Sequence, residues 1–577
     1  MSGIVILVIS LAVLVCGYIF YGGWLAKKWG VDPTRKTPAY ELEDGVDYCP
    51  AKAPVLLGHH FSSIAGAGPI NGPIQAAFFG WIPVLLWILI GGIFIGAVQD
   101  FSSLFVSVRN KGLSIGSVME KCMTHKAKLM FSIFTWLVML LVDAAFADIV
   151  AKTFNQVDEA GVAMTSTYNG SVAMASLLFI PLAIIFGFAV YRRHANLAVS
   201  TVAGVVVLVA CVAVGIMFPL TGDWSTIPFW RVFVFVYCAV ASVTPVWILL
   251  QPRDYLNSFL LYFMIIAAVI GIIVANPSIQ LTAFAGFEAS NGTTNNFLFP
   301  TLFITVACGA VSGFHALISS GTTSKQLSNE KDAKMIGYGG MLIECLLAVV
   351  VLITIGSMSA DGISKAADGT PIGSPSTAFA AGVSGFFASI GFGEQATGIT
   401  YTVICLAVSA FCLTSLDTCC RLGRFTLQEL MAPKDGSAPT GIRKAIQNKY
   451  VSTVVNILCA AALCVAGYST IWPLFGACNQ LIAVPVLMTA ATWLKQQGKG
   501  HKMFYVPMIF MALASVSQLV MSLISYGKAL FADFSTWGTN GLLVVIDFLI
   551  LVLAIATLVE GFGFLFGNRK PKAEKAA

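Results

Sequence analysis

The side chains of this sequence that can do chemistry are few, and most stand where charge is costly. Asp143 lies midway along an apolar run (129–153), Glu344 inside GGMLIECLLAVV, and Asp417 four residues before Arg421. An ionisable group at membrane depth needs a partner or a function. Asp143 has no charged neighbour at helical spacing, so it reads as a proton carrier or as a hydrogen-bonded structural carboxylate. Asp148 and Lys152 share a helix face, as a structural ion pair or as part of a gate. Glu344 finds no local partner, so another helix must supply one or the carboxyl must be protonated. Asp417 and Arg421 read as an inner gate or as the anchor of a helix end. Asp100 and Asp547 fall nearer the ends of their runs, where solvation is easier, and take no role in this reading.

His59 and His60 open a Gly/Pro-rich stretch, and His315 sits in a separate apolar run. Adjacent helical residues point about 100° apart, so the pair does not chelate by itself. A three-histidine zinc site assembled across spans has little support. Imidazoles beside a broken helix suit carboxylate binding or proton relay, with a buried, hydrogen-bonded histidine as the plain alternative. Ser319, Ser320, Thr322 and Thr323 offer hydroxyl oxygens of the kind a hard cation accepts, and equally serve as packing glue between helices. All cysteines except Cys49 and Cys122 fall in apolar segments, without a CxxC, and read as packing. No metal or cofactor is expected; the coupling ion is proton or sodium.

Positioning these groups requires a membrane body. The 577 residues are 57% hydrophobic and 10% charged, against about 25% charged in soluble domains, and the mean hydropathy is +0.85. That excludes a soluble enzyme or a nucleic-acid binder. Apolar runs of about 20 residues give about fifteen spans, the first (4–25) a retained membrane helix rather than a signal peptide. With the N-terminus outside and the C-terminus cytoplasmic, most of the 33 Lys and Arg fall in inside loops. Spans from 54 and from 230 then form two five-helix units of opposite orientation, as inverted-repeat transporters require. The divisions are 1–53 (an extra helix and loop), 54–229 (first repeat), 230–430 (second repeat) and 431–577 (accessory helices). Each repeat should open on a helix broken in mid-membrane. Gly66, Gly68, Pro69, Asn71, Gly72 and Pro73 break the first, with Gln75 just beyond; Pro245 and Pro252 mark the second. Residues 376–392 form a softer apolar patch that suits a short or re-entrant helix.

Six stretches carry a resemblance: GHHFSSIAGAGPINGPIQAAFFGW (58–81), VDAAFADIVAKTF (142–154), QPRDYLNSFLLY (251–262), GFHALISSGTTSKQL (313–327), TSLDTCCRLGRF (414–425) and WPLFGACNQLIA (472–483). Together they resemble the carbon starvation protein A (CstA) family across nearly the whole chain. The resemblance implies a secondary transporter of the bacterial inner membrane, taking up peptides or pyruvate during nutrient limitation, with a leucine-transporter-like architecture. It also implies a lining or gating role for Asn479 and Gln480.

The expectation is therefore an all-α polytopic membrane protein that imports a small carboxylate-bearing nutrient, a peptide first and pyruvate as rival. Its partners are the bilayer and that substrate, with no nucleic acid and no ATPase subunit. The substrate should sit against the free backbone of residues 66–73 with His59, His60 and His315 nearby. A channel is the alternative of another class, but no repeated filter is present. Walker A, HExxH and GxSxG motifs are absent, which leaves direct ATP coupling and familiar hydrolytic chemistry without support.

Overall fold

The computed structural model describes residues 1–45, 48–157, 167–193, 196–245, 248–290, 295–358, 375–432 and 440–567, and these are nearly all helical. The first elements are α1 (Gly3–Trp29), the half-helices α2 (Ala53–Ile64) and α3 (Gly68–Ala76), α4 (Trp81–Arg109) and α5 (His125–Phe154). Next come α6 (Tyr168–Val190), α7 (Leu197–Met217), α8 (Ile227–Val243) and α9 (Leu250–Ala275). After a small antiparallel hairpin (Glu288–Ser290 with Asn295–Phe297) stand α10 (Leu298–Thr305), α11 (Gly313–Gly321) and α12 (Lys334–Gly356). The chain continues with α13 (Pro375–Ser389), α14 (Glu394–Leu430) and α15 (Lys449–Cys464). It ends with α16 (Tyr468–Gln496), α17 (Tyr505–Ala532) and α18 (Asn540–Leu565).

Eleven described helices are long and apolar enough to cross a bilayer, against about fifteen expected. The apolar helices α8 and α15, of 17 and 16 residues, are shorter, and two further segments are interrupted. The softer patch near 376–392 is α13, a continuous helix packed on α14.

The first interruption falls where expected. Helix stops at Ile64 and resumes at Gly68, with Pro69 in the first turn, where its missing N–H costs nothing. The second does not lie at 230–250: α8 runs unbroken to Val243, and Pro245 lies beyond its end. It lies between Thr305 and Gly313. The two interrupted segments run antiparallel. The Ala51 N–H donates to Gln326 O at 3.0 Å, His60 meets Thr323, Gly68 abuts Cys308, and Gly72 abuts Thr305. Their breaks are therefore level with each other.

Packing around them repeats. Helices α4 and α12 flank the broken pair and touch each other, and each carries a π-helical stretch (Gly92–Gly96 and Lys334–Gly339). The long helices α5 and α14 pack side by side, α8 and α15 cover both, and α9 against α2 and α14 mirrors α16 against α11 and α5. The repeats thus run 53–275 and 298–496, which corrects the division at 230. The reason is the α6–α7 pair, two helices inserted in the first repeat. Val199, Val202 and Val206 of α7 are 63–68% exposed, an apolar surface suited to lipid. The expected accessory segment from 431 also loses α15 and α16 to the core, leaving α17 and α18 outside it.

Candidate functional site

Between the two broken segments the backbone comes close enough to exclude side chains. A Cβ on Gly68 would stand 2.4 Å from Cys308 Sγ, and one on Gly72 2.9 Å from Thr305 O. Gly66 faces Phe146 and Ser415. Asn71 is buried on α3, with its Oδ1 3.4 Å from the Ser376 hydroxyl and its Nδ2 unpartnered among the described residues. Gln75 is half-buried one residue from the end of α3.

The second break is held by side chains from two other helices, α4 and α16. Trp87 Nε1 donates to Val306 O (3.1 Å), Gln99 Nε2 to Ser312 O (2.5 Å) and Gln480 Nε2 to Phe303 O (2.5 Å). Asn479 Oδ1 accepts from the Phe314 N–H (2.9 Å), and its Nδ2 reaches Ser312 Oγ and Cys308 Sγ. These bonds replace the helical ones that an unwound stretch loses. Asn479 and Gln480 therefore support the break, and they belong to a core helix.

Behind the break, His315 Nδ1 lies 2.9 Å from Asp100 Oδ2 on α4, and its Nε2 lies 3.4 Å from Glu344 Oε2 on α12. All three are fully buried. The group that faces Glu344 thus comes from another helix, α11. Asp100, set aside in sequence, completes the cluster.

A second network joins α2 to α9 and α14 below the first break. Arg253 holds Asp417 with both terminal nitrogens, bonds Tyr237 Oη, and reaches Asp254 Oδ1 at 2.9 Å. His59 Nδ1 lies 3.3 Å from Asp254 Oδ2, and Ser62 Oγ donates to Asp254 O. The partner of Asp417 is thus Arg253 and not Arg421, whose guanidinium donates instead to the carbonyls of Ala241 and Thr244. Tertiary proximity outranks the four-residue spacing that suggested the other pair. His60 takes a third direction, 2.9 Å from Thr323 Oγ1, so the three histidines do not gather around one point.

The remaining candidates lie apart. Asp143 faces α15, with Asn456 Nδ2 donating to its Oδ2 at 3.1 Å. Asp148 is clamped by Arg231 (2.5 Å), Lys152 (3.4 Å) and the Tyr468 N–H (2.8 Å), which ties α5 to α8 and α16. Of the hydroxyl run, Ser320 and Thr322 donate back to carbonyls of their own helix, Ala316 and Ile318, while buried Ser319 Oγ has no partner among the described residues. The helix that meets the first break with hydroxyls is instead α14, where Ser415 Oγ donates to Ser63 O at 3.2 Å.

A cavity of about 410 Å³ opens between α11, α5 and α14, lined by Ser117, Thr135, Met139, Ser320, Phe425 and Glu429. Its mouth is charged: Glu429 accepts from Ser117 Oγ and lies 3.7 Å from Lys128, which also bonds Glu120 (2.7 Å). Partial burial works against the charge on Glu120. Hydrogen bonds from Lys128 and His125 outweigh it and hold that carboxyl below its ordinary range.

Residues 2–373 and 365–518 match the family described as Carbon starvation protein CstA. The Peptide transporter CstA of Campylobacter jejuni is 32% identical over 91% of this chain and 81% of its own length. The Pyruvate/proton symporter BtsT of Escherichia coli is 31% identical over 91% of this chain and 82% of its own. Among solved structures, a manganese transporter of Eremococcus coleocola gives a TM-score of 0.49 at 10% identity, covering 91% of this chain and 99% of that one. MhsT in complex with L-phenylalanine gives 0.46 at 12%, covering 89% and 99%.

Proposed function

The chain belongs to the carbon starvation protein CstA family, and from that premise we propose that it is a secondary active transporter importing a small carboxylate-bearing nutrient by ion-coupled alternating access. A peptide is the first reading, as for the relatives named peptide transporters. Pyruvate with a proton is the second, favoured by the relative named a pyruvate/proton symporter. The observation that carries the reading is the level pair of breaks. The half-helices α3 and α11, nine residues each, both begin there. Their N-termini bring the positive ends of two helix dipoles to one place. A carboxylate is the group such a place attracts, and peptides and pyruvate share it.

Coupling is proposed at the network below the first break. Arg253, Asp417, Asp254 and His59 join α2 of the bundle to α9 and α14. A proton on either carboxyl removes one charge from that junction and loosens α2. Sodium is the alternative, at the Ser415 hydroxyl and Ser63 carbonyl beside the break. The face carrying Lys128 and Lys325 is cytoplasmic in this account, so the cavity opens inward, and the N-terminus lies outside. The membrane is the bacterial inner membrane.

The test is uptake of labelled dipeptide and labelled pyruvate, side by side, in proteoliposomes under imposed proton or sodium gradients. Saturable, gradient-driven uptake of one of them with counterflow is the expected result. Flux that neither saturates nor shows counterflow indicates a channel, and conversion of substrate without translocation indicates an enzyme.

A further inference from the structure

One cluster of buried donors is left unused by the transport reading. Cys308 Sγ, a ring nitrogen of His315 and a carboxylate oxygen of Glu344 all lie within 4.8 Å of one another. His315 and Glu344 are fully buried and Cys308 is 5% exposed. Among the described residues neither oxygen of Glu344 makes a hydrogen bond, nor does His315 Nε2; the two groups face each other at 3.4 Å. A buried carboxylate without hydrogen bonds is costly. Two such groups, the Glu344 carboxylate and His315 Nε2, converge on the Cys308 sulfur, and the three donors together frame a point a cation can fill.

We propose that Cys308, His315 and Glu344 bind a divalent transition-metal ion of the zinc class, tying the second break and α11 to α12. Sulfur, nitrogen and oxygen donors in one set suit zinc or cobalt and do not suit magnesium or calcium, which take oxygen. The surroundings are those of a metal site. Asp100 Oδ2 takes the Nδ1 side of His315 at 2.9 Å, which turns Nε2 toward Glu344 as a neutral imidazole needs. Asn479 Nδ2, 3.4 Å from Cys308 Sγ, steadies that sulfur as a thiolate, and Asn479 is itself fixed by the Phe314 N–H. Binding converts the thiol to thiolate and releases its proton to solvent. Three protein donors leave one coordination position open.

The experiment is titration of the purified full-length protein in detergent with Co²⁺, read by the thiolate-to-cobalt charge-transfer absorbance and by competition with Zn²⁺. The wild type should bind one ion per chain with that absorbance. Cys308→Ser should lose the absorbance, whereas Cys345→Ser, a buried thiol facing Gly92, should keep it. Asp100→Asn, which leaves all three donors in place, should weaken Zn²⁺ binding by about 10–100-fold. No charge-transfer absorbance in the wild type, or its persistence in Cys308→Ser, overturns the proposal. If Cys308→Ser fails to elute as a single species, X-ray absorption of zinc-loaded wild type decides. A coordination shell with one sulfur supports the site, and one without sulfur overturns it. None of these readouts involves transport, so their failure leaves the uptake reading standing.

Discussion

The two breaks do the same job by different means. The first is written into its own residues: no described side chain hydrogen-bonds to positions 65–67, and the unwinding rests on Gly66, Gly68 and Pro69. The second contains Gly309 but is held from outside by Trp87, Gln99, Asn479 and Gln480. One break is a property of a segment, and the other is a property of the assembled bundle. Damage to the first should therefore act locally on binding, and damage to the second should spread into stability.

The sharpest way to break that contrast is Gly68→Leu. Its Cβ alone would stand 2.3 Å from Cys308 Cβ, so the side chain fills the space between the breaks. Uptake should fall to background while membrane insertion is retained; unchanged uptake contradicts the placement of the site. Next in size is Arg253→Met, below the first break. Removing one partner of a buried ion pair costs about 3–5 kcal/mol, visible as a lower Tm in detergent. Arg253→Met with Asp417→Leu should recover part of the loss, because Asp254 and Tyr237 still lack their Arg253 partner; no recovery would show that those two contacts, and not the pair, carry the cost.

Asn479→Ala tests the second break. It strands the Phe314 N–H and Ser312, a cost of about 1–3 kcal/mol, and should raise KM along with lowering Tm. A change in KM with no change in Tm would make the two breaks alike and overturn the contrast. The smallest effect should come from Glu120, remote from both. Its carboxyl is held below its ordinary range, so its stabilising contribution is present above the unfolded-state pKa and fades as pH falls through the lower folded value. Exposed pairs of this kind contribute about 0–1 kcal/mol. In Glu120→Gln the acid limb of the Tm-against-pH curve should flatten slightly, with uptake unaltered.

The same contrast explains what was legible in sequence. Apolar runs announce membrane helices through composition, and Gly-Pro clustering announces the first break because the cause is local. The second break lacks such clustering; its cause lies in residues 165–219 positions away in the chain, among them Gln99 and Asn479. Pro245 drew attention to the wrong place because a proline after a helix end looks like one within it. The division into repeats, rather than the number of helices, was hidden where α6 and α7 interrupt the first repeat, since an insertion of two crossings preserves the alternation of loops. Arg253 and Asp254 carry no such signal: QPRDY is polar, as a loop between two spans would be, yet both residues are buried at the start of α9. Arg421 misled because spacing along a helix reports neighbours on that helix and says nothing of α8 and α9.

The central claim is that substrate is carried at the level breaks under an ion gradient. Its most direct measurement is gradient-driven uptake and counterflow in proteoliposomes, comparing the wild type with Gly68→Leu on whichever of dipeptide or pyruvate is transported. Saturable uptake with counterflow is expected in the wild type and neither in the variant. Equal flux through both proteins, or flux in the wild type that ignores every imposed gradient, would contradict it.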